Sequence, residues 1–201
     1  MSFFENRANR AIGFGGTLGG ILLLISSYTA FTQLSSSKNE PQTITAQQLI
    51  TEGYGDNLFM TVTNYTPLLN AMIVKEDDIE RSTMNRGVWV PITPKRTSKS
   101  VKKRPECKVI LYSRYLYDPE QINAFSRTKE FTGLVVDNIP VGDKINSDAF
   151  SSIFPDADFD NILIIEHNKK PPGYLKVVLL LLAGLIITPI GLMGLYQYFK
   201  N

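Results

Sequence analysis

The chain has 201 residues, of which 43% are hydrophobic and 20% charged, with a formal net charge of +2. A chain of that length holds one or two domains at most. Positions 33–174 carry 17 of the 21 basic and 18 of the 19 acidic residues, a net of −1, so the positive excess that nucleic-acid binding needs is missing. One cysteine, Cys107, excludes an intramolecular disulfide framework, and one histidine, His167, excludes a multi-histidine metal site.

A short tail, 1–10, carries Arg7 and Arg10 and leads into Ala11–Thr32, which contains no charged residue. As a helix, those 22 positions reach roughly 33 Å, enough to cross a ~30 Å hydrocarbon core. The apolar part exceeds the ~7–15 residues of a signal-peptide core. A cut after Ala30 would also put bulky Tyr28 where a small residue is needed, so the stretch reads as a retained anchor. Gly15/Gly19 and Gly16/Gly20 form two overlapping small-xxx-small motifs, a face on which another backbone can approach closely. That face predicts a helix–helix contact, with the second span, with another membrane protein or with another copy.

Residues 33–44, rich in Ser, Lys, Asn and Gln, read as a linker, followed by an α+β domain over 45–170. Thr45 is placed to cap a short helix over 46–52 that Gly53 closes. Strands are predicted over 58–64, 71–75, 87–93, 108–114, 131–137 and 162–166, with Pro91 pushing the third toward an edge or a bulge. Asp118-Pro119-Glu120 starts a second helix with Ile122, Ala124 and Phe125 on its apolar side, and Ser147 starts a third that runs through Ile153. The expected fold class is therefore α+β: two transmembrane helices flank a β-rich domain of about six strands, in a mixed or antiparallel sheet, with three short helices. A small open barrel is the alternative. Core candidates are Val62, Ile73, Trp89, Val90, Ile110, Leu111, Leu134, Val135, Ile162 and Ile164.

The second span, within 175–199, is uncharged from Val177 to Phe199. Gly184, Thr188 and Gly191 share a face, and Pro189 predicts a bend, with the Thr188 hydroxyl available to a freed carbonyl. Tyr174, Tyr196 and Tyr198 suit the membrane–water boundary. Neither span holds an ionisable residue, which argues against an ion or proton pathway. Arg7 and Arg10 beside the first span favour cytoplasmic termini and an extracytoplasmic domain, although Lys38, Lys169, Lys170 and Lys176 weigh on the other side. The sequon Asn64-Tyr65-Thr66 is followed by Pro67, which hinders its use.

Chemistry-bearing motifs are sparse. Asp156, Asp158 and Asp160 open like a calcium loop, but Asn161 and His167 stand where Gly and Glu are needed. Glu76, Asp77, Asp78 and Glu80 read as a solvated turn. Lys95, Arg96, Lys99, Lys102, Lys103 and Arg104 put six cations into ten residues. That loop is a candidate contact for a partner protein or for anionic lipid, at ~1 kcal/mol per charge. Cys107 reads as a small buried side chain. His167, at a strand end, becomes a general base only beside a nucleophile or an orienting acid. No nucleotide-binding or hydrolase fingerprint is present, and no cofactor or metal is expected.

Asn85-Arg86-Gly87-Val88-Trp89-Val90-Pro91, between two terminal membrane helices, resembles the Asn-Arg-Gly-Trp-Val-Pro strand of the Surfeit-type assembly factors of cytochrome oxidase, with Val88 inserted. The resemblance covers about seven residues and the helix–domain–helix layout. It implies a non-catalytic membrane chaperone, with Arg86 and Trp89 as contact residues. Three functions follow as expectations: a non-enzymatic, doubly anchored accessory or assembly subunit that binds a partner protein at the membrane face; a membrane-associated enzyme using carboxylates or His167; and an anionic-lipid-binding module.

Overall fold

The computed structural model describes residues 3–75, 87–95, 107–116, 118–136, 152–158 and 161–200. The chain divides into two compact units, Met1–Ser36 with Pro171–Asn201, and Ser37–Lys170.

The first unit is a pair of helices, α1 (Phe3–Ser35) and α4 (Tyr174–Lys200). Each contains a stretch long and apolar enough to cross a membrane, Gly13–Ser35 and Tyr174–Lys200. Helix α1 extends beyond the predicted span at both ends, since no glycine or proline stops it before Ser35. Helix α4 runs without interruption through Pro189. The Thr188 hydroxyl donates to the Gly184 carbonyl at 2.7 Å, one residue short of the Leu185 carbonyl that Pro189 deprives of its amide partner. The helices pack antiparallel: Gly13 meets Leu195, Gly16 meets Gly191, Gly20 meets Thr188 and Leu24 meets Gly184. Further along, the buried Ser27 hydroxyl donates to the Val177 carbonyl at 3.2 Å.

The second unit begins where a linker was expected. Lys38–Glu40 is fastened to the buried Asn57 side chain: the Lys38 amide donates to Asn57 Oδ1 at 2.9 Å, and Asn57 Nδ2 donates to the Glu40 carbonyl at 3.1 Å. Strand β1 (Gln42–Thr45) follows directly and pairs in parallel with β2 (Phe59–Thr63). The Gln42 side chain, which a linker would leave solvated, donates to the Tyr54 and Asn57 carbonyls. Helix α2 (Ala46–Glu52) has the predicted ends. Thr45 and Gln48 form a reciprocal capping box, and Gly53 closes the helix with a φ of 78°. Ala46 and Leu49 point into the core.

The remaining elements are β3 (Tyr65–Pro67), β4 (Ile73–Lys75), β5 (Gly87–Pro94), β6 (Val109–Ser113), α3 (Pro119–Arg127), β7 (Glu130–Val135) and β8 (Leu163–His167). They form a mixed sheet in the order β1-β2-β7-β8-β6-β5-β3, with β4 also pairing β5. The strand expected over 58–64 breaks at Asn64, whose left-handed φ of 53° turns the chain from β2 into β3. One residue thus separates two strands at distant positions in the sheet order, so the sheet must curl. Tyr65 on β3 meets Phe131 on β7 edge-on at 4.9 Å. The expected α+β class and mixed sheet are found, with eight strands among the described residues in place of about six, and the sheet is curled.

Pro91 does not put β5 at an edge; β5 pairs on both sides. The Pro91 carbonyl accepts from the Leu68 amide at 2.9 Å. A residue's N and C=O point to the same side of a strand, so the ring nitrogen faces the gap between β3 and β4, where no ladder bond is lost. Successive residues of the central strands alternate between two cores. Val88, Val90 and Ile92 with Val109 and Leu111 join Ala46, Leu49 and Phe125 on one face. Trp89, Ile110 and Tyr112 join Phe154 and Ile164 on the other. Eight of the ten predicted core residues are buried, while Ile73 and Ile162 are only partly so. Asp118 caps α3 with Pro119 at its first position, and Phe125 is its buried residue. Ala124 is exposed. The third predicted helix lies outside the described residues except for Ser152 and Ile153, which are helical.

Candidate functional site

The two glycine motifs of α1 separate in the folded hairpin. A Cβ on Gly16 would sit 3.0 Å from the Gly191 Cα, and one on Gly20 would sit 2.7 Å from the Thr188 nitrogen. A Cβ on Gly191 would lie 2.2 Å from the Thr17 nitrogen, and one on Gly184 would run into the Leu24 side chain at 2.7 Å. Gly16, Gly20, Gly184 and Gly191 therefore belong to the contact between α1 and α4. Gly13, which the motif search passed over, joins them, with its Cβ position 2.6 Å from the Leu195 nitrogen. A 3–4-residue spacing back from Gly16 would have found it. Gly15 and Gly19 meet nothing within 4 Å and take no part in this contact. At the other end of the predicted tail, the Arg10 guanidinium lies 6.0 Å from the Tyr198 ring centroid.

Of the basic loop, Lys95 is described: its side chain is exposed and its amide donates to the Asn64 carbonyl at 2.8 Å. Arg96, Lys99, Lys102, Lys103, Arg104 and Arg86 lie outside the described residues, as does the acidic run 76–80. Trp89 is not a surface contact. It is 2% exposed and stacks on Tyr112 at 4.4 Å between ring centroids. Alternation along β5 carries Trp89 to the face opposite Val88 and Val90, and that face is covered as well.

A cleft of about 750 Å³ lies beside Cys107, Phe154 and the Asp156–Asp158 turn. Asp156, Asp158 and Lys108 stand on its rim with exposed side chains, and Asn161 donates to Asp158 at 2.7 Å. Among the described residues no group of three His, Cys, Asp or Glu side chains is placed to hold a metal. Cys107 is 4% exposed, and burial pushes its thiol up to about 12. A neutral thiol of that kind is a packing residue, not a nucleophile.

His167 has the more developed surroundings. Its Nδ1 lies 3.1 Å from the Ser113 hydroxyl, 54 positions away in the sequence. Parallel pairing of β6 and β8 brings the ends of those strands together and so makes this contact. The Phe125 and Phe131 rings meet the imidazole edge-on at 5.5 and 6.4 Å. Burial lowers the imidazole pKa below its ordinary value, so the ring is neutral near pH 7. Arrangement of a hydroxyl on an imidazole has the first requirement of an acyl-transfer pair. Ser113, however, is fully buried and already accepts from the Tyr115 amide at 3.2 Å. The adjacent Glu166 carboxylate is taken by Lys169 at 2.6 Å, with Arg114 at 3.8 Å. The hydroxyl is thus closed to a substrate, and the pair serves to fix the ring.

No protein-family model matches the chain, and no curated protein or solved structure matches it.

Proposed function

We propose that this chain is a doubly anchored membrane protein. Its sheet domain binds a partner protein at the membrane face, as a non-enzymatic accessory or assembly subunit. The observation that supports the anchors is the direction of the large side chains in the helix pair. Glycines fill the contact, while Leu18, Leu22, Ile186 and Met193 are each more than 60% exposed. In water such a surface is a liability, whereas in a bilayer it is the surface lipid solvates, with the helical backbone bonded inside each helix except at the Leu185 carbonyl opposite Pro189. Arg7 and Arg10 favour cytoplasmic termini and a domain on the opposite side. The Surfeit-type resemblance agrees with a chaperone role, and the exposed start of the basic loop at Lys95 offers the domain a polar contact for a partner or an anionic headgroup.

The test is alkaline carbonate extraction followed by protease protection of sealed vesicles, with cleavage read at the Lys95–Arg104 loop. The chain is expected to stay in the carbonate pellet, and the loop to be cut only from the extracytoplasmic side. Release by carbonate would refute the anchors; cutting from the cytoplasmic side would reverse the orientation. A mild-detergent pull-down that recovers this chain alone would remove the partner.

A further inference from the structure

At the ends of β6 and β8 one hydrogen bond joins two side chains with complementary needs. Ser113 is fully buried, and its Oγ accepts from the Tyr115 amide at 3.2 Å. Its own proton therefore needs an acceptor. Among the described residues His167 Nδ1, at 3.1 Å, is the only one it has. An imidazole whose Nδ1 accepts carries its proton on Nε2 and is neutral. The residues that follow depend on the same strand end. His167 is the last residue of β8 and pairs with Gly133. The Asn168 amide donates to the Thr132 carbonyl at 2.9 Å, with Asn168 in the left-handed region at a φ of 58°, and the Lys169 amide donates to the Glu166 carbonyl at 3.3 Å. Beyond Lys170 the chain runs through Pro171 and Pro172 into α4.

We infer that His167 is a proton-operated latch: while neutral it closes the end of β8 onto β6, and when protonated it releases residues 167–170, lengthening the connection into α4. The second proton goes to Nδ1, which then turns a donor toward the Ser113 hydroxyl. That leaves the buried Ser113 proton without an acceptor, at the full desolvation cost of the group. Fraying relieves the conflict, because the terminal pair of a strand opens more cheaply than the rest and the released imidazolium reaches water. The charged neighbours offer no other remedy. Glu166 precedes His167 on β8, so the pleat turns it to the other face, where it meets Lys169 at 2.6 Å and Arg114 at 3.8 Å. Phe125 of α3 and Phe131 of β7 lie against the ring, and both are apolar. Gln121 and Ala124 of α3, Tyr115 after β6 and Glu130 of β7 line the adjoining cleft. Glu130 is the one carboxylate among them; it is exposed, and burial of the ring outweighs it and lowers the His167 pKa. The latch rests on neither the membrane anchors nor a partner protein.

His167 is the sole histidine, so the ¹⁵N signals of its two ring nitrogens report the latch in the intact chain in lipid nanodiscs. At neutral pH they should show the Nε2-protonated tautomer. Amide hydrogen exchange on the same sample, corrected for the intrinsic effect of pH, measures release. Protection of Asn168 and Lys169 should fall by about tenfold or more, the scale of a buried hydroxyl losing its acceptor. The fall should begin as pH drops through 6.5, where the released ring titrates, and level off once the folded ring is protonated. The Leu111 amide, on the central strand β6, should keep its protection. His167→Gln, which retains an acceptor and cannot titrate, should remove the pH dependence. Ser113→Ala removes the hydroxyl that conflicts with the imidazolium, so it should raise the His167 pKa and shrink the fall. An Nδ1-protonated tautomer at neutral pH, unchanged protection while His167 titrates, or an equal loss at Leu111 would each overturn the latch, and these three are read on the unmodified chain. So would a His167→Gln chain, folded by its Trp89 fluorescence, that loses protection as the unmodified chain does.

Discussion

Between α1 and α4 glycines let the opposite helix come close, whereas the centre of the sheet domain is filled by large side chains. Gly16 and Gly191 bring two backbones together. Met60, Ile92, Ile110, Leu111, Leu134 and Ile165 are completely buried between or beneath strands. The difference fits the proposed anchoring, in which the helix pair lies in lipid and the sheet domain in water. A domain in water is held by removing apolar area from it, at about 25 cal/mol per Å². Helices in lipid gain little that way, so they rely on dispersion contact at short range, which a Cβ at Gly16 or Gly191 would prevent.

The largest expected effect breaks the glycine contact. In a Cys107→Ser background, cysteines at Ser27 and Val177 report the pairing by oxidative cross-linking. Gly191→Leu should reduce the cross-link to about a tenth or less, because its Cβ falls on the Thr17 backbone, which has no rotamer to retreat to. Gly15→Leu, with nothing within 4 Å, should leave it unchanged. Equal loss in both variants would show that the two motifs are not divided as described.

A smaller effect sharpens the other side of the comparison. Leu111 is completely buried, and Leu111→Ala should cost the domain about 2–5 kcal/mol, lost contact plus cavity. Urea unfolding followed at Trp89 measures it, and the Ser27–Val177 cross-link should not respond. A cost below about 1 kcal/mol would mean that this face is not close-packed.

The smallest effect concerns pH. The folded His167 pKa lies below its ordinary value of 6.5 because burial penalises the cation. The unfolded chain then binds more protons as pH falls through 6.5 toward the folded value. Its contribution to stability is full above 6.5 and is lost across that window. The thermal midpoint of the domain should fall on acidification through this range, and His167→Phe should flatten that part of the profile. A midpoint that rises there would reverse the sign of the argument.

What could be read along the chain were features set by near neighbours. The uncharged spans, the Thr45–Gln48 cap, Gly53, the Asp118-Pro119 start and the alternation that marks Val90, Leu111 and Ile164 as core all act within a turn of helix or a few residues of strand. Strand β1 escaped because its sequence is polar and its support comes from Asn57 and from parallel pairing with β2. Strand β3 escaped because Asn64 turns the chain in the middle of a continuous β-pattern. The sequence by itself determined which segments are apolar enough to leave water and which side chains alternate into a core. Only the tertiary structure decided which glycine motif meets α4, that Trp89 is covered, and that Ser113 orients His167. Each of those depends on contacts between residues far apart in the chain, and local periodicity carries no record of which distant neighbour will arrive.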